Sequence, residues 1–223
     1  MNGGNPALLT HLLLASQSPR RREILTWAGI PFQALASHTD ETPGKDEPSL
    51  ALVARLALAK ARAIPQPSDG TWILAADTIV ALSGCTLGKP DSAAEAREML
   101  LRLRTDMHEV HTGIVLRNAR QGHELIRCVT TRVWMRPYSD AEIEQYLASG
   151  DPFDKAGGYA IQHPDFHPVD HIERCYANVV GLPLCAVIAS LREWDSPFPI
   201  DVPRFCLEHF GYHCPGMDEG VRL

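Results

Sequence analysis

A single α/β domain is predicted by three observations. Short apolar runs alternate with segments of helical period, the arrangement that packs helices against a sheet. One run, residues 72–82, is apolar on both faces, as a strand covered on each side must be. No repeat, low-complexity stretch or linker divides the 223 residues. The elements follow in order. Leu12-Leu13-Leu14-Ala15 reads as a strand that stops at Ser16-Gln17-Ser18-Pro19-Arg20-Arg21-Arg22-Glu23. There Ser18 is placed to cap a helix and Pro19 suits its first turn, while Ile24, Leu25 and Ala28 give an apolar face before Gly29 stops it. Ser49 opens an alanine-rich helix through Leu52, Val53, Leu56, Ala57 and Lys60, which ends before Pro65. Trp72 to Leu82 is the central strand, closed by Ser83-Gly84. Past the Gly88-Lys89-Pro90 corner, Ser92 and Glu95 form a capping-box pattern for a helix bearing Met99, Leu100 and Leu103. Residues 110–116 and 125–135 make a long hairpin across a polar turn at 118–122. Ser139 with Glu142 repeats the capping pattern for a short helix ending at Gly150. A loop from Asp151 follows, then an apolar helix running through Leu191, and a proline-rich tail from Asp195 that shows no clear period.

Composition excludes several classes. With 21 basic and 27 acidic residues the formal charge is −6, which argues against a general nucleic-acid binder, so any basic site is local. No apolar stretch reaches the roughly 20 residues of a membrane helix, and Met1 to Thr10 lacks the regions of a signal peptide. The expected setting is the cytoplasm, with no membrane and no nucleic acid as partner. Six dispersed cysteines without a C-x-x-C pair read as reduced thiols there.

The arginine-rich turn carries the first chemical signal. A helix N-terminus already holds about half a positive charge, so three arginines in its first turn are unfavourable unless an anion sits among them. Their side chains point about 100° apart in succession, so they cannot all meet one ligand. Asp77 is the second signal, because an ionised carboxylate in an apolar strand costs several kcal/mol unless a metal, cation or hydrogen bonds compensate it. The alternative is an Asp that caps the turn after the strand. Asp40-Glu41 adds loop carboxylates of the kind Mg²⁺ accepts, or merely solvated ones. Lys89, pinned between Gly88 and Pro90, and Lys155, before Gly157-Gly158, stand on backbones suited to close approach by a ligand. Lys60 is either a third cation for a polyphosphate or an exposed helix lysine. His163, His167 and His171 recur every four residues, but Pro164 and Pro168 deny them one helix face. Cys206, His209, His213 and Cys214 are spaced too irregularly for a familiar zinc motif, which favours an amphipathic tail over a zinc site. No P-loop or dinucleotide fingerprint is present.

Six short motifs in order bind these signals together: Ser16-Gln17-Ser18-Pro19-Arg20-Arg21, Ala76-Asp77-Thr78, Gly88-Lys89-Pro90, His111-Thr112-Gly113, Asp154 to Gln162, and Asn178-Val179-Val180-Gly181-Leu182-Pro183. From about Leu12 to Leu191 the chain resembles the Maf family of nucleotide pyrophosphatases. The resemblance implies an elongated, two-lobed mixed sheet flanked by helices, similar to inosine triphosphate pyrophosphatases, with a cleft between the lobes and a homodimer. It implies hydrolysis of nucleoside triphosphates to monophosphate and pyrophosphate with Mg²⁺ or Mn²⁺. Asp77 matches the family's proton acceptor and Glu41 an acidic active-site position, both able to hold the metal. Ser16, Ser18, Arg21, Lys60, Lys89 and Lys155 match positions around the triphosphate, and Arg20, Thr78 and Gln162 match positions for base selection. Arg20 and the Asp154-Lys155 pair resemble the branch acting on dTTP and UTP. The alternatives are a broad nucleotide pyrophosphatase and a non-enzymatic nucleotide-binding regulator of cell division. Residues 1–195 are expected to form the domain, and 196–223 an extension of no assigned role. The chain departs from the family at His163-Pro164-Asp165-Phe166-His167-Pro168 and at Ile172-Glu173-Arg174-Cys175-Tyr176.

Overall fold

The computed structural model describes residues 12–67, 71–194 and 198–214; Met1 to Thr10, expected to carry no targeting signal, and the end of the tail lie outside them. Among the described residues seven strands form one mixed sheet: β1 (Leu12–Ala15), β2 (Phe32–Leu35), β3 (Trp72–Leu82), β4 (Cys85–Leu87), β5 (Met107–Asn118), β6 (His123–Met135) and β7 (Val169–Glu173). Their order is β2-β1-β3-β5-β6-β7, with β4 paired to β3. Strand β1 runs parallel to β2 and β3, and the other pairs are antiparallel. The helices are α1 (Pro19–Trp27), α2 (Ser49–Ala63), α3 (Ala93–Leu103), α4 (Asp140–Ala148), α5 (Tyr176–Val180), α6 (Leu184–Glu193) and α7 (Val202–Phe210). No helix among the described residues is long and apolar enough to cross a membrane.

The pairing of β3 creates the functional geometry. Along one edge β5 pairs with it from Ile73 to Ala81. On the other edge β1 covers Trp72 to Leu74 and β4 covers Val80 to Leu82. Residues 75–79 therefore face an interval between two strands, and Asp77 and Thr78 lie in it. The apolar clusters change over at the same place. Trp72, Leu74 and Ala76 belong to a core with α1, α5, α6 and α7, whereas Val80 and Leu82 belong to a second core with α3 and α4. The long hairpin β5–β6 spans both cores, so each lobe is fixed relative to the other by continuous strands. Helix α2, through Ala57 and Ala61, and Ile64 just after it cover the opposite face, packed with Leu13, Ile73 and Ala75.

Local signals resolve unevenly. Ser139 and Glu142 close a complete capping box, but the Glu95 carboxylate accepts from the Asp91 N–H at 2.8 Å, leaving Ser92 to cap α3 alone. The tail contradicts its irregular reading: Asp201 accepts from the Arg204 N–H, and α7 buries Val202, Phe205 and Cys206, an i, i+3, i+4 face, in the first core.

A buried histidine in the second core sets a pH limit on stability. His108 is 1% exposed, and its Nε2 lies 2.7 Å from the Tyr159 hydroxyl. Burial pushes its pKa from 6.5 down to about 4, with Asp106 opposing weakly. Between those values the unfolded chain holds the proton and the folded chain does not, so stability falls as pH drops from 6.5 towards 4, by on the order of 3 kcal/mol. Urea midpoints at pH 7 and 4.5 check this, and His108→Gln should narrow the difference between them.

Candidate active site

The interval in the sheet opens into a cleft of about 670 Å³. Its wall contains Ser16, Ser18, Arg20, Arg21, Glu41, Lys60, Asp77, Thr78, Lys89, Lys155 and Gln162, so the fold brings every residue singled out for the site to one place. Asp77 is 7% exposed and Lys60 is 8% exposed. Lys60 Nζ stands 2.5 Å from Asp77 Oδ1 and 2.7 Å from Glu41 Oε1. The ammonium is the compensation that a carboxylate inside an apolar strand requires. Lys60 is thus not an exposed helix lysine, and Asp77 sits mid-strand rather than capping a turn. Glu41 remains half exposed on its loop, which brings a second carboxylate to the same ammonium.

The three arginines divide by depth. Arg21 is buried, and its Nε donates to the Gly181 carbonyl at 2.9 Å, Nη1 to Ser16 Oγ at 3.1 Å and Nη2 to Thr78 Oγ1 at 3.0 Å. Burial pulls its pKa down and Arg20 adds repulsion, while Asp77 and Glu41 oppose them. A guanidinium keeps its charge under such a shift, so the wall is cationic. Arg20 lies at the rim with Nη1 3.8 Å from the Asp154 carboxylate, and Arg22 is exposed away from the cleft. Ser18 occupies the N-cap position of α1 but its side chain makes no capping bond, and the first turn contains no acidic residue. Its N–H instead donates to Ser16 Oγ at 3.2 Å. The positive end of α1 thus meets the cleft without an internal anion.

Lys155 and Lys89 differ in availability. Lys155 Nζ donates to the Asp151 carbonyl and carboxylate and to Asp154 Oδ1, between 2.6 and 2.8 Å, which uses all three of its donors. Lys89 is exposed on the wall. Its corner is tied down because the Gly157 N–H donates to the Gly88 carbonyl at 2.9 Å, with Gly157 at φ +72°. Gln162 is exposed at the start of the divergent loop. That loop is fastened: Arg136 donates to the carbonyls of Phe166 and His167, and the Phe166 ring stacks on Tyr146 at 4.4 Å. Of the three histidines spaced by four, His163 in the loop and His171 on β7 serve the fold. His163 Nδ1 accepts from the Asp165 and Phe166 N–H groups, and His171 stacks on Trp134. Among the described residues no three His, Cys, Asp or Glu side chains are disposed to hold a metal ion.

Sequence reasoning left a supporting chain of hydroxyls unassigned. Thr78 Oγ1 lies 3.0 Å from Thr112 Oγ1, which donates to the Asn178 carbonyl, and Asn178 Nδ2 donates to Val110 O and Thr131 Oγ1. The motifs around Thr112 and Asn178 thereby hold the floor on which Thr78 and Arg21 stand. Ser37, Thr86 and Tyr159 also line the cleft; lone polar side chains in loops and short strands carry no periodic signal that would have marked them.

The model of the Maf-like protein family matches residues 11–194. The chain belongs to the Maf family. The cleft, the Lys60–Asp77 pair and the arginine wall all fall within the matched span of this Maf chain. A dTTP/UTP pyrophosphatase of Myxococcus xanthus is 46% identical over 190 residues, covering 85% of this chain and 95% of that protein. Those of Citrifermentans bemidjiense and Thermomicrobium roseum are each 44% identical, over 81% and 86% of this chain and 94% and 87% of their own lengths.

Proposed function

We propose that this cleft hydrolyses nucleoside triphosphates to nucleoside monophosphate and pyrophosphate, with preference for dTTP and UTP. The observation that carries the reading is a buried carboxylate, Asp77, paired with Lys60 and set across a cleft from the uncapped, arginine-bearing end of α1. Asp77 takes a proton from the water that attacks the α-phosphorus. Arg21, Lys89 and the α1 N-terminus bind the phosphate chain and offset the charge that develops on the leaving pyrophosphate. Lys60 holds Asp77 and Glu41 in place, and Lys155 holds Asp154 beneath Arg20.

Lys60 meets each carboxylate through one oxygen, so Asp77 and Glu41 suit Mg²⁺ or Mn²⁺, hard cations commonly bound by one or two carboxylates together with substrate phosphates. A cation held there supplies charge neutralisation on the triphosphate. We assign the base to Arg20, Thr78 and Gln162; the reading also carries a cytoplasmic setting and a homodimer, which light scattering tests.

The deciding experiment measures pyrophosphate release from a panel of canonical and modified nucleoside triphosphates, with and without Mg²⁺ or Mn²⁺. Release fastest from dTTP and UTP supports the proposal, uniform rates favour a broad pyrophosphatase, and binding without release favours a regulator. Arg20→Trp or Gln162→Ala should shift the ratio of dTTP to GTP rates by about tenfold or more. An unchanged ratio removes those residues from base selection.

A further inference from the structure

We propose that Cys185 and Cys214 form a reversible disulfide that straps the segment after α7 onto α6. Their sulfurs stand 3.7 Å apart although 29 positions separate them in the chain. A disulfide bond is about 2.0 Å long, so side-chain rotation and a small movement of the segment after α7 suffice to close the pair. Both residues are partly buried at the edge of the first core, within reach of a small reagent, while Cys175 and Cys206 are buried. The Cys206 thiol also engages Cys214 side chain to side chain, and the Cys175 thiol lies within electrostatic reach of Cys214, which makes a nest of four thiols. A metal is the other use for such a nest, but no three donors there are disposed around a common ion among the described residues, whereas the Cys185 and Cys214 sulfurs already stand 3.7 Å apart. His209, which the tail spacing offered as a ligand, stacks on Trp27 instead.

The chemistry needs an oxidant, and a low-molecular-weight disulfide supplies it. Both thiols are partly buried and either can open the exchange, with the same balance. When Cys214 attacks first, its thiolate displaces one thiolate from the reagent and leaves a mixed disulfide. The Cys185 thiolate then attacks the Cys214 sulfur and expels the second thiolate. Two protein thiols are oxidised, the reagent is reduced to two thiols, and the protons lost by the cysteines pass to them. In a reducing compartment such a bond is transient and responds to redox state.

The strap bears on the cleft wall through aromatic contacts. Helix α7 stacks His209 on Trp27 of α1 at 5.4 Å and Phe210 on Tyr176 of α5 at 5.0 Å. Helix α1 carries Arg21, and α5 ends at Gly181, whose carbonyl accepts from Arg21. Closing the loop around α7 thus fixes both elements that present the guanidinium.

The test equilibrates the full chain with oxidised glutathione in the presence of a chelator. Intact mass should fall by two hydrogens, proteolytic mapping should link Cys185 to Cys214, dithiothreitol should reverse the change, and the melting temperature should rise by roughly 5 °C or more in the oxidised form. Cys206→Ser should keep the bond, whereas Cys185→Ser and Cys214→Ser should lose it. Cys214 lies beyond α7, so its variant tests the pair without opening α6. Persistent thiols in the wild type, a bond from Cys214 to Cys206, an unchanged melting temperature in the bonded form, or, in a parallel sample given zinc and no chelator, one bound zinc per chain that blocks oxidation would each overturn the proposal.

Discussion

Asp77→Asn should lower the rate of pyrophosphate release by about 10²- to 10⁴-fold, the range a positioned general base contributes. The amide keeps the shape of the carboxylate, and its oxygen can still accept from Lys60, which retains Glu41 at 2.7 Å. Lost are the charge and the basicity, so the effect should fall on kcat with a melting temperature close to that of the wild type. Lys60→Met gives the contrasting result. It leaves Asp77, 7% exposed, without its cation, and an uncompensated buried charge costs roughly 3–5 kcal/mol. Thermal denaturation beside a turnover assay separates the two. Near-normal turnover in Asp77→Asn would remove Asp77 from the proton-transfer role, whatever the stability of the Lys60 variant.

The difference in how these two residues could be read shows what a sequence holds. Asp77 stands out because one acid interrupts an eleven-residue apolar strand, a contradiction visible without a structure. Lys60 carried a signal that was easier to pass over: it continues the buried face Leu52, Val53, Leu56, Ala57 of α2, so helical period alone points it inward. Helix α7 was similarly legible in Asp201, the 202, 205, 206 spacing and Gly211, but proline-rich flanks obscured it. Strands β4 and β7 were not. The first has three residues and the second alternates only weakly, and each exists because a long neighbour, β3 or β6, offers an edge. The engagement of Lys155 with Asp151 and Asp154 was also beyond sequence, since a lysine before two glycines gives no indication of whether its donors are already taken.

Gly113→Ala should destabilise the protein by roughly 2 kcal/mol or more, a fall in melting temperature of about 4–8 °C. Glycine is required there by a close approach of backbones rather than by an unusual φ. A Cβ at residue 113 would meet the Val53 carbonyl oxygen at 2.5 Å and its carbon at 2.8 Å. Neither atom can turn aside as a flexible side chain would, so α2 must lift from β5. The consequence reaches the site, because Gly113 pairs in register with Asp77 and α2 carries Lys60. Separating helix from sheet draws Lys60 Nζ away from the carboxylate it now meets at 2.5 Å, so turnover should fall together with stability. Gly88→Ala supplies the comparison: its Cβ would meet nothing within 4 Å, and its melting temperature should stay near that of the wild type. Equal stability of the two variants would show that α2 does not rest on β5 at Gly113, and that the Lys60–Asp77 distance is set elsewhere.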